Sequence, residues 1–203
     1  MRHRDRIISE VKSNYWRTSH KFGIRFPKTL KQPYEIDRQL GTDFWTKDIS
    51  KDTKNVCIAF EKLGGVTTDE TRKGGIKPGY EHVNVHMIFD IKMGGKFTIK
   101  AILVAGGHTT ALPPSTTYSS IVSRESVRNA FLLISLNDLD ICVCDIGNAY
   151  FNAKFREKIW TELGIEFGTE KRMVMIIARL IYGLKSSGAA WRAKLAETLM
   201  LLG

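Results

Sequence analysis

Val143-Cys-Asp-Ile-Gly-Asn-Ala-Tyr-Phe151 is the stretch on which the fold turns. The short apolar run Ile141–Cys144 reads as a buried strand, and the residues after Asp145 read as the start of a helix. Asp145 then falls at a strand-to-helix junction, where a carboxylate is held rigidly and can face a cleft. Such a carboxylate has two uses. It can cap the helix, or it can hold a hard cation for phosphoryl transfer, where paired cations about 4 Å apart activate the attacking oxygen and stabilise the leaving one. The residues alone leave both uses open.

Upstream of that junction, Ser123 is placed to cap a helix that carries Val127, Ala130, Phe131 and Ile134 on one stripe and ends at Asn137-Asp138. Before it, Val83, Val85, Met87, Phe89 and Ile91 alternate strictly, as do Phe97, Ile99, Ala101 and Leu103. With Met93-Gly-Gly-Lys96 as the turn, this predicts a β-hairpin with one buried face. Trp45, Ile49, Val56, Ala59 and Phe60 recur at helical spacing from Thr42 onward. The two Gly-Gly pairs and the proline between Gly64 and Gly79 predict a loop. Residues 1–40 are charged and without a sustained period, and are expected to form a weakly ordered, basic lead-in. At the other end, Ser187 opens a helix with Trp191, Leu195, Thr198 and Leu202 at helical steps.

Of the 203 residues, 31 are Lys or Arg and 21 are acidic, a formal charge of +10 that suits a polyanionic partner such as nucleic acid, or simply a basic surface. Hydrophobic content of 43% is enough for a packed core. Three cysteines, Cys57, Cys142 and Cys144, make no disulfide framework and fit a reducing, intracellular setting. No segment has the length and apolarity of a signal peptide or a membrane span, so no membrane partner is expected.

Two further strings carry candidate chemistry. In Leu180-Ile-Tyr-Gly-Leu-Lys-Ser-Ser-Gly-Ala-Ala-Trp191, Gly183 permits close backbone approach and Lys185 offers a mobile charge for phosphate. Read blandly, its glycines are turn residues and Trp191 a core anchor. In Phe97-Thr-Ile-Lys-Ala-Ile-Leu-Val-Ala-Gly-Gly-His108, period-2 geometry puts Thr98, Lys100 and Ile102 on one face. His82, Asn84 and His86 share a strand face without a third metal ligand, and read as surface residues. Gly94-Gly-Lys-Phe-Thr98 is too short for a phosphate-binding loop and reads as a turn.

Taken together, these strings resemble the reverse transcriptases of copia-type retrotransposons. Asp145-Ile-Gly-Asn-Ala-Tyr-Phe-Asn152 is similar to the first catalytic motif of that family, and Leu180–Trp191 to its Leu-Tyr-Gly-Leu-Lys-Gln-Ser-x-x-x-Trp signature. Phe97–His108 resembles its fingers strand, with Ile102 where the family has Arg. Trp45, Met87–Lys92 and Ser123–Arg128 agree in order, so the resemblance spans roughly residues 40–203.

What the resemblance implies is an RNA-directed DNA polymerase with an α/β (α+β) fold. Residues 41–122 would be fingers-like and residues 123–203 a partial palm on an antiparallel sheet. Asp145 would be the catalytic ligand of Mg2+ or Mn2+, and Tyr150 the gate against a sugar 2′-hydroxyl. Tyr182, Gly183 and Lys185 would face the templating base and incoming nucleotide, with Lys100 near the triphosphate. The implied partners are an RNA or DNA template-primer, deoxynucleoside triphosphates and the rest of the retrotransposon polyprotein. The location would be cytoplasm, nucleus or retrotransposon particle. The second metal-binding pair of the family, Asp-Asp, is absent from these 203 residues and is expected further downstream. The alternative is a decayed, inactive remnant that binds nucleic acid through charge alone. Either way a sheet lacking its later strands leaves an unpaired edge, and poor solubility is expected.

Overall fold

A computed structural model describes residues 9, 13, 17–67, 76, 79–114 and 116–202 of the chain. It is a mixed α and β structure. Strands β1 (His20–Lys21) and β2 (Ile24–Arg25) form a minimal antiparallel hairpin. Helices α1 (Gln32–Leu40) and α2 (Phe44–Val56) follow, then β3 (Phe60–Thr67), β4 (Glu81–His82) and the long pair β5 (Val85–Gly94) and β6 (Lys96–Ala105). Helix α3 (Arg124–Leu136), β7 (Ile159–Glu162), β8 (Met173–Ile177) and α4 (Ser187–Leu202) complete the order.

The β5–β6 hairpin forms in the register that its alternation predicts, from Val85 opposite Ala105 to Gly94 opposite Lys96. Gly95 turns the chain at φ +81°, a conformation that costs a residue without Cβ little. Met87, Phe89, Ile91, Ala101 and Leu103 face inward. They meet α2, whose Trp45 packs edge-on against Phe89 with ring centroids 5.8 Å apart. The outer edge of β6 has no partner strand among the described residues. Helix α2 satisfies it instead, because Asp48 and Asp52, one helical turn apart, accept hydrogen bonds from Ala101 N–H (2.6 Å) and Leu103 N–H (2.7 Å).

A second sheet runs β3-β8-β7-β4, with β3–β8 and β8–β7 antiparallel and β4 parallel to β7. It is therefore mixed rather than wholly antiparallel, and it draws strands from both sides of residue 122. Phe60 at the start of β3 packs edge-on against Phe167, joining this sheet to the common core.

Several expectations need correction. The lead-in is folded from about residue 17. Phe26 and Ile36 are buried in the core, α1 starts on Pro33 near its first turn and stops at left-handed Gly41, and Lys21 pairs with Asp90 of β5. The remainder of residues 1–16 lies outside the described residues. The predicted loop from Gly64 is a strand as far as Thr67, with most of 68–78 outside the described residues. Phe60 belongs to β3, not to the preceding helix.

The largest correction concerns Ile141–Cys144. It forms no strand, and all four residues are exposed, with Val143 88% accessible. Helix α3 forms as predicted, and Ser123 Oγ accepts the Ser126 N–H at 3.0 Å as its cap, yet α3 buries no residue. A strand needs a neighbour for its backbone groups, and an apolar stripe needs a surface. Neither is present for residues 124–146 among the described residues.

Candidate functional site

The chain from Asp145 to Asn152 is organised by a turn. Asn148 takes the left-handed conformation (φ +53°), which asparagine tolerates better than most residues, and the chain enters a 3-10 turn over Ala149–Asn152 rather than the expected α-helix. Phe151 N–H donates to the Asn148 carbonyl at 2.9 Å, and the Phe151 ring is buried in the core. That anchor fixes the neighbouring Tyr150, which is half-buried, while Asp145 is exposed.

The Leu180–Trp191 string meets this turn. Tyr182 pairs in parallel with Val104 at the end of β6, its carbonyl accepting the Ala105 N–H at 2.8 Å. The rings of Tyr150 and Tyr182 lie 4.7 Å apart at 60°. Burial raises the pKa of the Tyr182 hydroxyl, and Tyr150, Asp52 and Asp145 add to the effect in that order. Tyr150 and Tyr182, picked out from two separate strings, are thus brought into ring contact, and the charges of Asp52 and Asp145 act on the Tyr182 hydroxyl.

Gly183 is required for this approach. Its φ is +89°, and a Cβ there would sit 2.0 Å from the Ala105 carbonyl oxygen. Gly107 faces it from the other string, where a Cβ would lie 2.4 Å from the Gly183 oxygen. The close contact that Gly183 permits is with the chain's own backbone. Gly188, at the start of α4, is less constrained: a Cβ there would lie 3.3 Å from the Ser119 Cβ and 4.0 Å from the Tyr150 hydroxyl.

Two predicted residues sit differently. Lys185 is turned away from the tyrosines and donates to the Thr110 carbonyl and, at 3.4 Å, to that of Ala111. Lys100 is half-buried opposite Asp90 in the hairpin, and its charge acts on Asp52. Asp52 lies outside the motif-like strings. Its pKa is raised by burial first, while the Leu103 hydrogen bond lowers it, Asp48 raises it and Lys100 lowers it. The sequence signal for it was slight: two aspartates four apart on the polar side of an amphipathic helix, a pattern usually left to solvent.

A magnesium site of the polymerase kind needs several converging oxygen donors. Among the described residues no three His, Cys, Asp or Glu side chains are grouped to hold a metal. These residues do not fit a two-cation centre. His82 lies against Trp160, ring centroids 4.3 Å apart, in keeping with a surface histidine. All three cysteines are exposed free thiols, and no helix among the described residues is long and apolar enough to cross a membrane. No family model, curated protein or solved structure matches the chain.

Proposed function

We propose that the chain is part of a copia-type reverse transcriptase, an RNA-directed DNA polymerase, with α2 and the β5–β6 hairpin as fingers and the residues from Ser123 as the beginning of the palm. The observation that carries this reading is the convergence of Asp145, Tyr150, Tyr182 and Gly183. They come from two motif-like strings about thirty residues apart in sequence; the Tyr150 and Tyr182 rings are in contact beside Gly183, and Asp145 lies five residues before Tyr150 on the exposed chain that leads into the turn. A polymerase site uses such a group to hold a sugar and base beside a carboxylate. Magnesium in this reading requires carboxylates additional to Asp145, supplied from outside these residues. The 203-residue chain is therefore expected to bind a primed template without extending it.

A second reading, a decayed remnant that binds nucleic acid only by its charge, is favoured by Ile102, which removes the bidentate cation from the phosphate-facing strand. It is also favoured by the exposed apolar residues of 124–146. Photocrosslinking separates the two. A primed RNA template with a photoreactive base at the primer terminus is expected to label residues 145–152 and 180–191. Label spread evenly over the basic surface would overturn the polymerase reading in favour of the remnant.

A further inference from the structure

Helix α3 and the residues that follow it carry charges set against the helix's own dipole. Arg124 and Arg128 stand at its N-terminal end, with Glu125 offsetting one of them, while Asp138 and Asp140 lie just past its C-terminal end, and no basic residue occupies the last turn. A helix N-terminus favours anions and a C-terminus favours cations, so this arrangement is unfavourable to α3 alone. All five side chains are exposed, and none is in an ion pair among the described residues.

The same segment is apolar on more than one side. Val127, Phe131 and Ile134 follow one line of α3 and Leu132 and Leu136 another, and a helix that is apolar on both sides is normally covered. Yet α3 buries no residue. Eleven large apolar residues between Ile121 and Ile146 are exposed, from 41% for Ile146 to 92% for Ile121. At on the order of 100 Å2 each, they supply about the 800 Å2 per partner that a stable interface takes.

We propose that α3 and residues 137–146 form the interface of a symmetric dimer, in which a second copy of this chain lies antiparallel along α3. In that arrangement Arg124 and Arg128 of each protomer meet Asp138 and Asp140 of the other, and two-fold symmetry makes the pairing twice. Each charge then also sits at the end of the partner helix that favours it, carboxylates at an N-terminus and guanidinium groups at a C-terminus. Pairing Arg124 with Asp138 or Asp140 puts the two-fold axis midway, at residues 131–132. Phe131, 54% exposed, is thereby at the centre, where an aromatic side chain anchors an interface best. A partner of one charge, such as an anionic lipid surface or a basic peptide, complements one end of the segment only. A second copy complements both. The inference does not rest on the polymerase reading, because none of these residues belongs to the Tyr150–Tyr182 group.

The test is sedimentation velocity of the full 203-residue chain, freed of nucleic acid by nuclease, over a concentration series. The wild type is expected to sediment as a dimer in equilibrium with monomer. Arg124→Glu/Arg128→Glu and Asp138→Arg/Asp140→Arg are each expected to weaken the dimer by roughly tenfold or more, because like charges then face each other at both ends. An equimolar mixture of the two variants, and a chain carrying all four substitutions, restore opposite charges at both ends and are expected to restore the dimer. Arg124→Glu/Arg128→Glu is also expected to melt no lower than the wild-type monomer, since it removes the conflict with the dipole. A monomeric wild type would overturn the proposal. So would association that charge reversal leaves unchanged, or reversed variants that stay monomeric when mixed, either of which would make α3 an apolar surface without a defined partner.

Discussion

The Tyr182 carbonyl accepts the Ala105 N–H at 2.8 Å, so the last inward-facing residue of β6 is tied to the backbone that carries one ring of the candidate site. Asp48, Asp52 and Tyr182 in turn satisfy the N–H groups of Ala101, Leu103 and Ala105 along one strand edge. The edge that would otherwise invite aggregation is closed by a helix and by the candidate site together. Gly183→Ala places a methyl against the Ala105 oxygen at a positive φ. It is expected to cost about 2–4 kcal/mol, read as a lower urea midpoint, with Tyr182 fluorescence or proton shifts moving along with it.

Asp37 is a second structural joint. Buried at the end of α1, it accepts from the N–H groups of Trp45 (3.3 Å) and Thr46 (2.8 Å) and from the hydroxyls of Thr42 and Thr46. It therefore caps α2 from another helix, in place of Asp43, whose side chain makes no cap bond. Asp37→Ala strands four donors and is expected to lower stability by about 2–3 kcal/mol. Asp43→Ala is expected to change it by less than about 0.5 kcal/mol. Chemical denaturation of the two variants side by side checks the contrast.

That joint illustrates what the sequence could and could not convey. The hairpin, α2, α3 and α4 were legible because periodicity, glycines and the Ser123 cap are local properties. The role of Asp37 was not, because its partners lie five to nine residues away across a turn. The strand expected at Ile141–Cys144 fails for a related reason: an apolar run records a tendency to be covered, and the covering strand is not among the described residues. The Tyr150–Tyr182 pair was legible as two separate motif positions. Asp52 beside it was hidden in an ordinary amphipathic pattern.

Asp52 should give the chain a measurable pH dependence. Its folded pKa is raised, so the folded state holds its proton more tightly than the unfolded chain does. The cost of the charged form is absent below the unfolded carboxylate pKa and grows as pH rises through the folded one. Asp52→Asn keeps an acceptor for the Leu103 N–H and removes the charge. Relative to the wild type, its stability is expected to rise between acidic and neutral pH, measured by urea denaturation at several pH values. A difference independent of pH would contradict the raised pKa.

Phe131, Leu132, Leu133 and Leu136 are all more than half exposed on α3, and Leu139, Ile141 and Val143 continue the apolar surface. A patch of this kind drives self-association. Phe131→Glu with Leu136→Lys is expected to raise the soluble concentration several-fold while changing stability by less than about 0.5 kcal/mol per site. Light scattering and melting of the variant check this, and a large loss of stability would mean that α3 is packed after all.

The most direct measurement is the affinity of the 203-residue chain for a primed RNA template against the same strand unprimed, at fixed salt, with and without Tyr150→Ala. A reverse-transcriptase site at Asp145, Tyr150 and Tyr182 predicts tighter binding of the primed junction, and a loss of about tenfold in that preference when the aromatic platform is removed. Equal affinity for primed and unprimed strands, unchanged by Tyr150→Ala, would contradict it and leave a chain that binds nucleic acid by charge alone.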